Sequence, residues 1–121
     1  MLGLGEKGGS ISVVDDQIGS PTYTRDIAAV ISGIIPSGKY GTYHVRSEGF
    51  CSWYDFAREI FRQSGIEVEV RPVSSDQYKT RARRPLNSRL SVRSMTDAGF
   101  QSLPHWKDAL ARYLAEVKNN Q

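Results

Sequence analysis

Asp15-Asp16-Gln17-Ile18-Gly19-Ser20-Pro21-Thr22-Tyr23 gathers carboxylates, an amide and hydroxyls around a glycine and a proline. It follows the short β-prone run Ile11-Ser12-Val13-Val14 and precedes a helical pattern, and loops at strand ends are where ligand-contacting groups collect. The competing reading is a plain helix-opening turn with Thr22 or Thr24 as its cap. A second concentration of chemistry lies between Arg71 and Arg93. That stretch carries net +6 (Arg71, Lys79, Arg81, Arg83, Arg84, Arg89 and Arg93 against Asp76), while the remaining residues sum to −3 and the whole chain to +3. Its centre, Thr80 to Arg89, contains Pro, Asn and Ser and has neither helical nor alternating period, so it reads as loop. Guanidinium groups bind phosphate oxygens through paired hydrogen bonds, which makes such a loop an anion-site candidate. A solvated basic face is the plain alternative.

Other arrangements fail on context. Gly3-Leu4-Gly5-Glu6-Lys7-Gly8 has the G-x-G-x-x-G spacing of a dinucleotide loop, but only Met1 and Leu2 precede it, so no strand feeds the turn. None of the six tyrosines has a lysine four residues later, and no Ser-His-Asp or Cys-His arrangement stands out. His44, His105 and Cys51 lack metal-ligand spacing. No catalytic, cofactor-binding or metal-ligating residue is therefore predicted. The start lacks a signal-peptide core and no apolar run reaches the roughly 20 residues that span a bilayer. A single cysteine with no export signal is expected in a reducing cytoplasm.

The elements that must hold the two loops are readable. Ile27, Val30, Ile31 and Ile34 predict a helix from about Thr24, stopped by Pro36. Gly41 to Val45 reads as a strand. Ser52 and Asp55 suit a capping box for a helix whose Trp53, Phe56, Ala57, Ile60 and Phe61 form one stripe, with Gly65 as left-handed cap. Ile66 to Arg71 alternates like a strand with one wet face. Ser94 and Asp97 suggest a one-turn helix ending at Gly99. Pro104 opens a last helix with Trp106, Ala109, Leu110, Tyr113, Leu114 and Val117 on its apolar face. Both tryptophans are expected in the core. With 121 residues, 39% of them hydrophobic, the chain reads as one mixed α/β domain over residues 1–121, with few strands alternating with helices.

Taken together, the segments resemble the dTDP-4-dehydrorhamnose reductase family of extended short-chain dehydrogenase/reductases. Val13 to Tyr23 is similar to its VVxDQxGxPT segment. Gly41 to Val45 and Cys51 to Ala57 resemble its G-x-YH and SWY-x-FA elements, Arg84 to Leu90 its RPxNSxL, and Leu103 to Trp106 its LPxW. The order holds over nearly the whole chain. The resemblance implies the carboxy-terminal, substrate-binding portion of a Rossmann-type reductase that reduces a dTDP-4-keto-6-deoxy sugar with NAD(P)H. The family's glycine-rich loop and Tyr-x-x-x-Lys pair belong to a half not matched here, so this chain alone is expected to be inactive and to bind no cofactor. It also implies that Asp16, Gln17, Gly19, Pro21 and Thr22 on one loop, and Arg84, Pro85, Asn87 and Ser88 on the other, lie by the nucleotide-sugar pocket. Where the family has prolines near positions 79 and 81, this chain has Lys79 and Arg81, which loosens that loop.

Expected partners are the dTDP-sugar, the missing amino-terminal half, and a second copy covering apolar surface that a lone fragment leaves bare. Two other functions compete. One is a non-catalytic regulatory module of the wider superfamily. The other, ranked last, is a basic nucleic-acid-binding domain acting through Arg81, Arg83, Arg84 and Arg89, which would bind any duplex in a salt-sensitive way.

Overall fold

The computed structural model of the chain describes residues 9–77 and 82–119. The Gly3 to Gly8 match, Lys79 and Arg81 lie outside those residues. In chain order the elements are β1 (Ser10–Val14), β2 (Ile18–Gly19), α1 (Thr24–Ile34) with a 3-10 turn (Ile35–Ser37), β3 (Cys51–Ser52), α2 (Trp53–Ser64), β4 (Glu69–Val73), α3 (Arg93–Asp97) and α4 (Trp106–Asn119). This is the mixed α/β class anticipated. Contacts divide the chain into two compact units, Met1–Gly19 with Phe50–Ser88, and Ser20–Gly49 with Arg89–Gln121.

In the first unit β1 pairs in parallel with β4, from Ser10↔Glu69 to Val14↔Val73. Helix α2 packs on this pair and on β3, burying Ala57, Ile60 and Phe61 together with Val14 and Cys51. The expected capping box is present: the Ser52 hydroxyl accepts from the Asp55 N–H (3.0 Å) and the Asp55 carboxylate accepts from the Ser52 N–H (3.2 Å). Gly65 closes the helix at φ 70°. The strand expected at Ile66 begins instead at Glu69. The Ile66 N–H is spent on the Phe61 carbonyl (3.0 Å) as the chain leaves the helix, and ladder bonding starts where Glu69 donates to Gly9 (3.2 Å). Asp15 donates to Val73 at the other end. The alternation then turns residues 69, 71 and 73 towards β1 and Pro72 away, so the missing Pro72 N–H costs this ladder nothing.

In the second unit Met95, Leu103, Trp106, Ala109 and Leu110 are buried. Of the stripe expected on α1, Ile27, Val30 and Ile34 are half buried and Ile31 is exposed, and the buried residue of that helix is Asp26. Its carboxylate accepts two hydrogen bonds from Arg112 of α4, both 2.7 Å, and Tyr23 hydrogen-bonds Glu116. Polar pins therefore hold the start of α1 to α4. Neither threonine caps α1: Tyr23 is the cap residue and makes no side-chain bond there. Gly41 to Val45 is not a strand, because no described strand pairs with it. Helix α3 starts at Arg93 without a Ser94 cap. Helix α4 starts at Trp106, not Pro104; the His105 ring caps it by accepting from the Lys107 N–H (3.1 Å).

The Asp26–Arg112 pair sets a pH dependence. Donation by Arg112 holds the Asp26 carboxyl below its ordinary value, so its stabilisation is complete above the unfolded value near ~4 and is lost as pH falls through the lower folded value. Arg112 is 38% exposed, so Asp26→Asn should cost only about 1–2 kcal/mol at neutral pH. It should also flatten the stability profile below about pH 4. Urea unfolding between acid and neutral pH measures both.

Candidate functional site

The two loops singled out in the sequence meet at Ile18. Its N–H donates to the Leu86 carbonyl (2.8 Å), and its own carbonyl accepts from the Ser88 N–H (2.7 Å). Ile18 thus stands level with Asn87 in a parallel bridge. On its other side β2 pairs antiparallel with β3, Ile18↔Ser52 and Gly19↔Cys51. Three chain segments therefore lie side by side, with the first loop in the middle. A Cβ at Gly19 would meet the Ser88 Cβ at 3.4 Å and its carbonyl oxygen at 3.7 Å, ordinary contact distances, so the two segments lie side by side without requiring glycine there.

Asp16 acts as a strap. Its carboxylate accepts from the Ser75 N–H (3.1 and 3.0 Å) and the Ser75 hydroxyl (2.8 Å), tying the loop to the turn after β4. The Ser75 N–H is the main cause holding the Asp16 carboxyl below its usual range. Gln17 is half buried and makes no hydrogen bond among the described residues. Arg84, Pro85, Asn87 and Ser88 are all exposed. The flanks of the basic stretch are paired, Arg71 with Glu69 (3.3 Å) and Arg93 with Asp97 (3.6 Å). Arg83 and Arg84 at its centre are exposed and form no ion pair among the described residues.

Pro21 and Thr22 belong to the second unit, half buried. The Thr22 hydroxyl donates to the Ser20 carbonyl (3.0 Å) and accepts from the Ser47 N–H (3.2 Å), while the Ser20 hydroxyl donates to the Ser47 carbonyl (2.7 Å). Both hydroxyls shape the loop. Ser47 itself is fully buried and its hydroxyl has no hydrogen-bond partner among the described residues. Ser47→Ala should therefore leave stability unchanged or raise it by about 1 kcal/mol, read from a thermal melt.

Sequence reasoning missed Ser75, Ser47 and the exposure of Trp53. Trp106 is buried at 4% exposure, but Trp53 is 51% exposed despite sharing the α2 stripe. It is the first residue of α2. Among the described residues no three His, Cys, Asp or Glu side chains converge as a metal site, and no helix is long and apolar enough to cross a membrane.

Fold and loops together define a mixed α/β module in which the exposed Arg84 lies two residues before the segment that Ile18 bonds through Leu86 and Ser88. The family model described as RmlD substrate binding domain matches residues 1–119, and the chain belongs to that family. It is 43% identical over 116 residues to the spore coat polysaccharide biosynthesis protein SpsK of Bacillus subtilis, covering 96% of this chain and 40% of that protein. It is 41% identical over 114 residues to a dTDP-4-dehydrorhamnose reductase of Mycobacterium tuberculosis, covering 93% and 38%. Among solved structures it is similar to a dTDP-4-dehydrorhamnose reductase from Bacillus anthracis in complex with NADP (TM-score 0.92, 41% identity, 95% of this chain and 41% of that one). It is likewise similar to the Clostridium acetobutylicum protein (TM-score 0.94, 38% identity, 97% and 42%). The chain spans about two-fifths of the length of these relatives.

Proposed function

We propose that residues 1–121 act as one substrate-binding portion of a cytoplasmic dTDP-4-dehydrorhamnose reductase, holding dTDP-4-dehydro-L-rhamnose for reduction to dTDP-L-rhamnose. The observation that carries this reading is the junction at Ile18, which fixes the Arg84 loop against the Gln17 loop. Arg84 suits a diphosphate, which accepts two parallel N–H bonds from a guanidinium, and Asn87 and Ser88 can bond sugar or phosphate oxygens.

NAD(P)H does not fit the described residues. The turn that follows β1 leads through β2 and a proline before α1, and offers no run of glycines at a helix N-terminus to cradle a dinucleotide diphosphate. Cofactor and proton donor are assigned to the rest of the parent, so no step is routed through them. The chain alone should not oxidise NADPH in the presence of the keto-sugar, and detectable turnover would refute that assignment. The exposed Ile31, Ile35 and Tyr40 are apolar surface that the parent's other half, or a second copy, can cover.

Titration with thymidine diphosphate and with duplex DNA at two salt concentrations tests the reading. Saturable binding of the nucleotide that survives in the higher salt supports it. Equal, steeply salt-dependent binding of any duplex would replace it with a nucleic-acid role, and capture of a large partner enzyme without nucleotide binding would favour a regulatory module.

A further inference from the structure

The basic segment leaves the first unit and returns to it over residues 15–18. The Asp15 N–H bonds the Val73 carbonyl at the end of β4 (3.0 Å), and Ile18 bonds Leu86 and Ser88 where the segment comes back. Those ties are backbone to backbone, so side-chain identity hardly affects them. The tie between them is different. It is made by the Asp16 side chain, which takes the Ser75 N–H on both carboxylate oxygens (3.1 and 3.0 Å) and the Ser75 hydroxyl on Oδ2 (2.8 Å). Ser75 belongs to a turn closed on itself. There the Gln77 N–H donates to the Ser74 carbonyl (3.0 Å), and the Ser74 N–H donates to the Gln77 side chain (3.2 Å). Holding Ser75 therefore holds the whole turn.

A carboxylate beside an anion site can play two opposed roles. As a charge, Asp16 repels a diphosphate and opposes binding. As a brace it favours binding, because a guanidinium meets phosphate oxygens through two parallel bonds only in the right orientation. A loop ordered before the ligand arrives also removes that ordering cost from the binding step. Both oxygens of Asp16 are committed to Ser75, which suits the second role. We propose that Asp16 is a positioning residue, which acts through Ser75 to set how Arg84 meets a diphosphate and touches no ligand itself. The proposal rests on the nucleotide-sugar reading above and adds what keeps that site in shape.

The sign of one substitution separates the roles. Asp16→Ala removes the brace and a negative charge together. It should weaken pyrophosphate and thymidine diphosphate binding about fivefold, measured by calorimetric titration of the full chain. Asp16→Asn sheds the same charge but keeps an oxygen that accepts from Ser75, and should restore both affinities to within about twofold of the unsubstituted chain. Trypsin gives a readout without ligand. The cut after Arg83 should come about fivefold faster in Asp16→Ala and at the unsubstituted rate in Asp16→Asn. If Asp16→Ala does not unfold cooperatively in urea, Ser75→Ala takes its place. That change removes the hydroxyl tie at constant charge and should weaken both ligands about twofold. Unchanged or tighter binding by the variant used overturns the brace while the nucleotide-sugar reading stands. Weaker binding by both Asp16 variants without faster cleavage would put Asp16 on the ligand itself, and overturns the proposal as well. An unsubstituted chain that saturates with neither ligand overturns the nucleotide-sugar reading, and with it any part for Asp16 in binding.

Discussion

Arg84→Gln is expected to weaken thymidine diphosphate binding by about 10- to 100-fold, the equivalent of one or two charge-assisted hydrogen bonds. Arg84 is exposed and forms no ion pair among the described residues, so its removal orphans no internal partner and the loss reads out in binding rather than in stability. Arg84→Lys keeps the charge but not the planar fork, and should recover only part of the affinity. Arg83→Gln serves as the comparison. Arg83 is also exposed, but it lies one residue further from the segment that Ile18 clamps through Leu86 and Ser88. A charge there acts mainly by steering, so its removal should lower the association rate at low salt and matter little at high salt. Equal losses from both substitutions, vanishing together with salt, would show that the loop works as a diffuse cationic patch.

What could be read from residue types was whatever obeys local rules. The Ser52/Asp55 box, the Gly65 cap and the buried Ala57, Ile60 and Phe61 follow from spacing within one helix, and the structure keeps them. Errors came where a residue's fate depended on a distant partner. Gly41 to Val45 has strand composition, yet a strand exists only through a neighbour that bonds to it, and none is described. The α1 pattern pointed to its isoleucines, but Arg112, far along the chain, draws Asp26 inward instead. Trp53 satisfies the helical stripe yet stands half exposed at the first position of α2, which periodicity cannot reveal. The site was legible in pieces: each loop carried suitable groups, and their order resembled a family. That Gln17 and Leu86 lie on adjacent segments needed the Ile18 bonds, a contact between residues nearly seventy positions apart.

Gly49→Ala should cost about 3 kcal/mol, although no motif marks that glycine. Two separable causes contribute. Gly49 holds φ at +82°, where an L side chain costs roughly 1–2 kcal/mol. A Cβ there would also fall 2.3 Å from Nε2 and 2.8 Å from Cδ2 of His105, far inside contact distance. The imidazole is not free to yield. Its Nδ1 accepts from the Lys107 N–H at the start of α4, its ring stacks on Trp106 at 5.7 Å, and the backbone beside it is tied by Glu48 to Pro104 (3.2 Å) and Trp106 (3.0 Å). Moving the ring therefore sacrifices the α4 cap. His105→Ala alone should cost about 1 kcal/mol, the usual value of a lost cap. In the double variant the clash is gone, so the Gly49→Ala step should shrink to the backbone strain alone, about 1–2 kcal/mol. Urea unfolding of the four proteins closes the cycle. A Gly49→Ala step of the same size with and without His105 would mean that the imidazole moves aside at no cost, and that the left-handed backbone accounts for the whole effect.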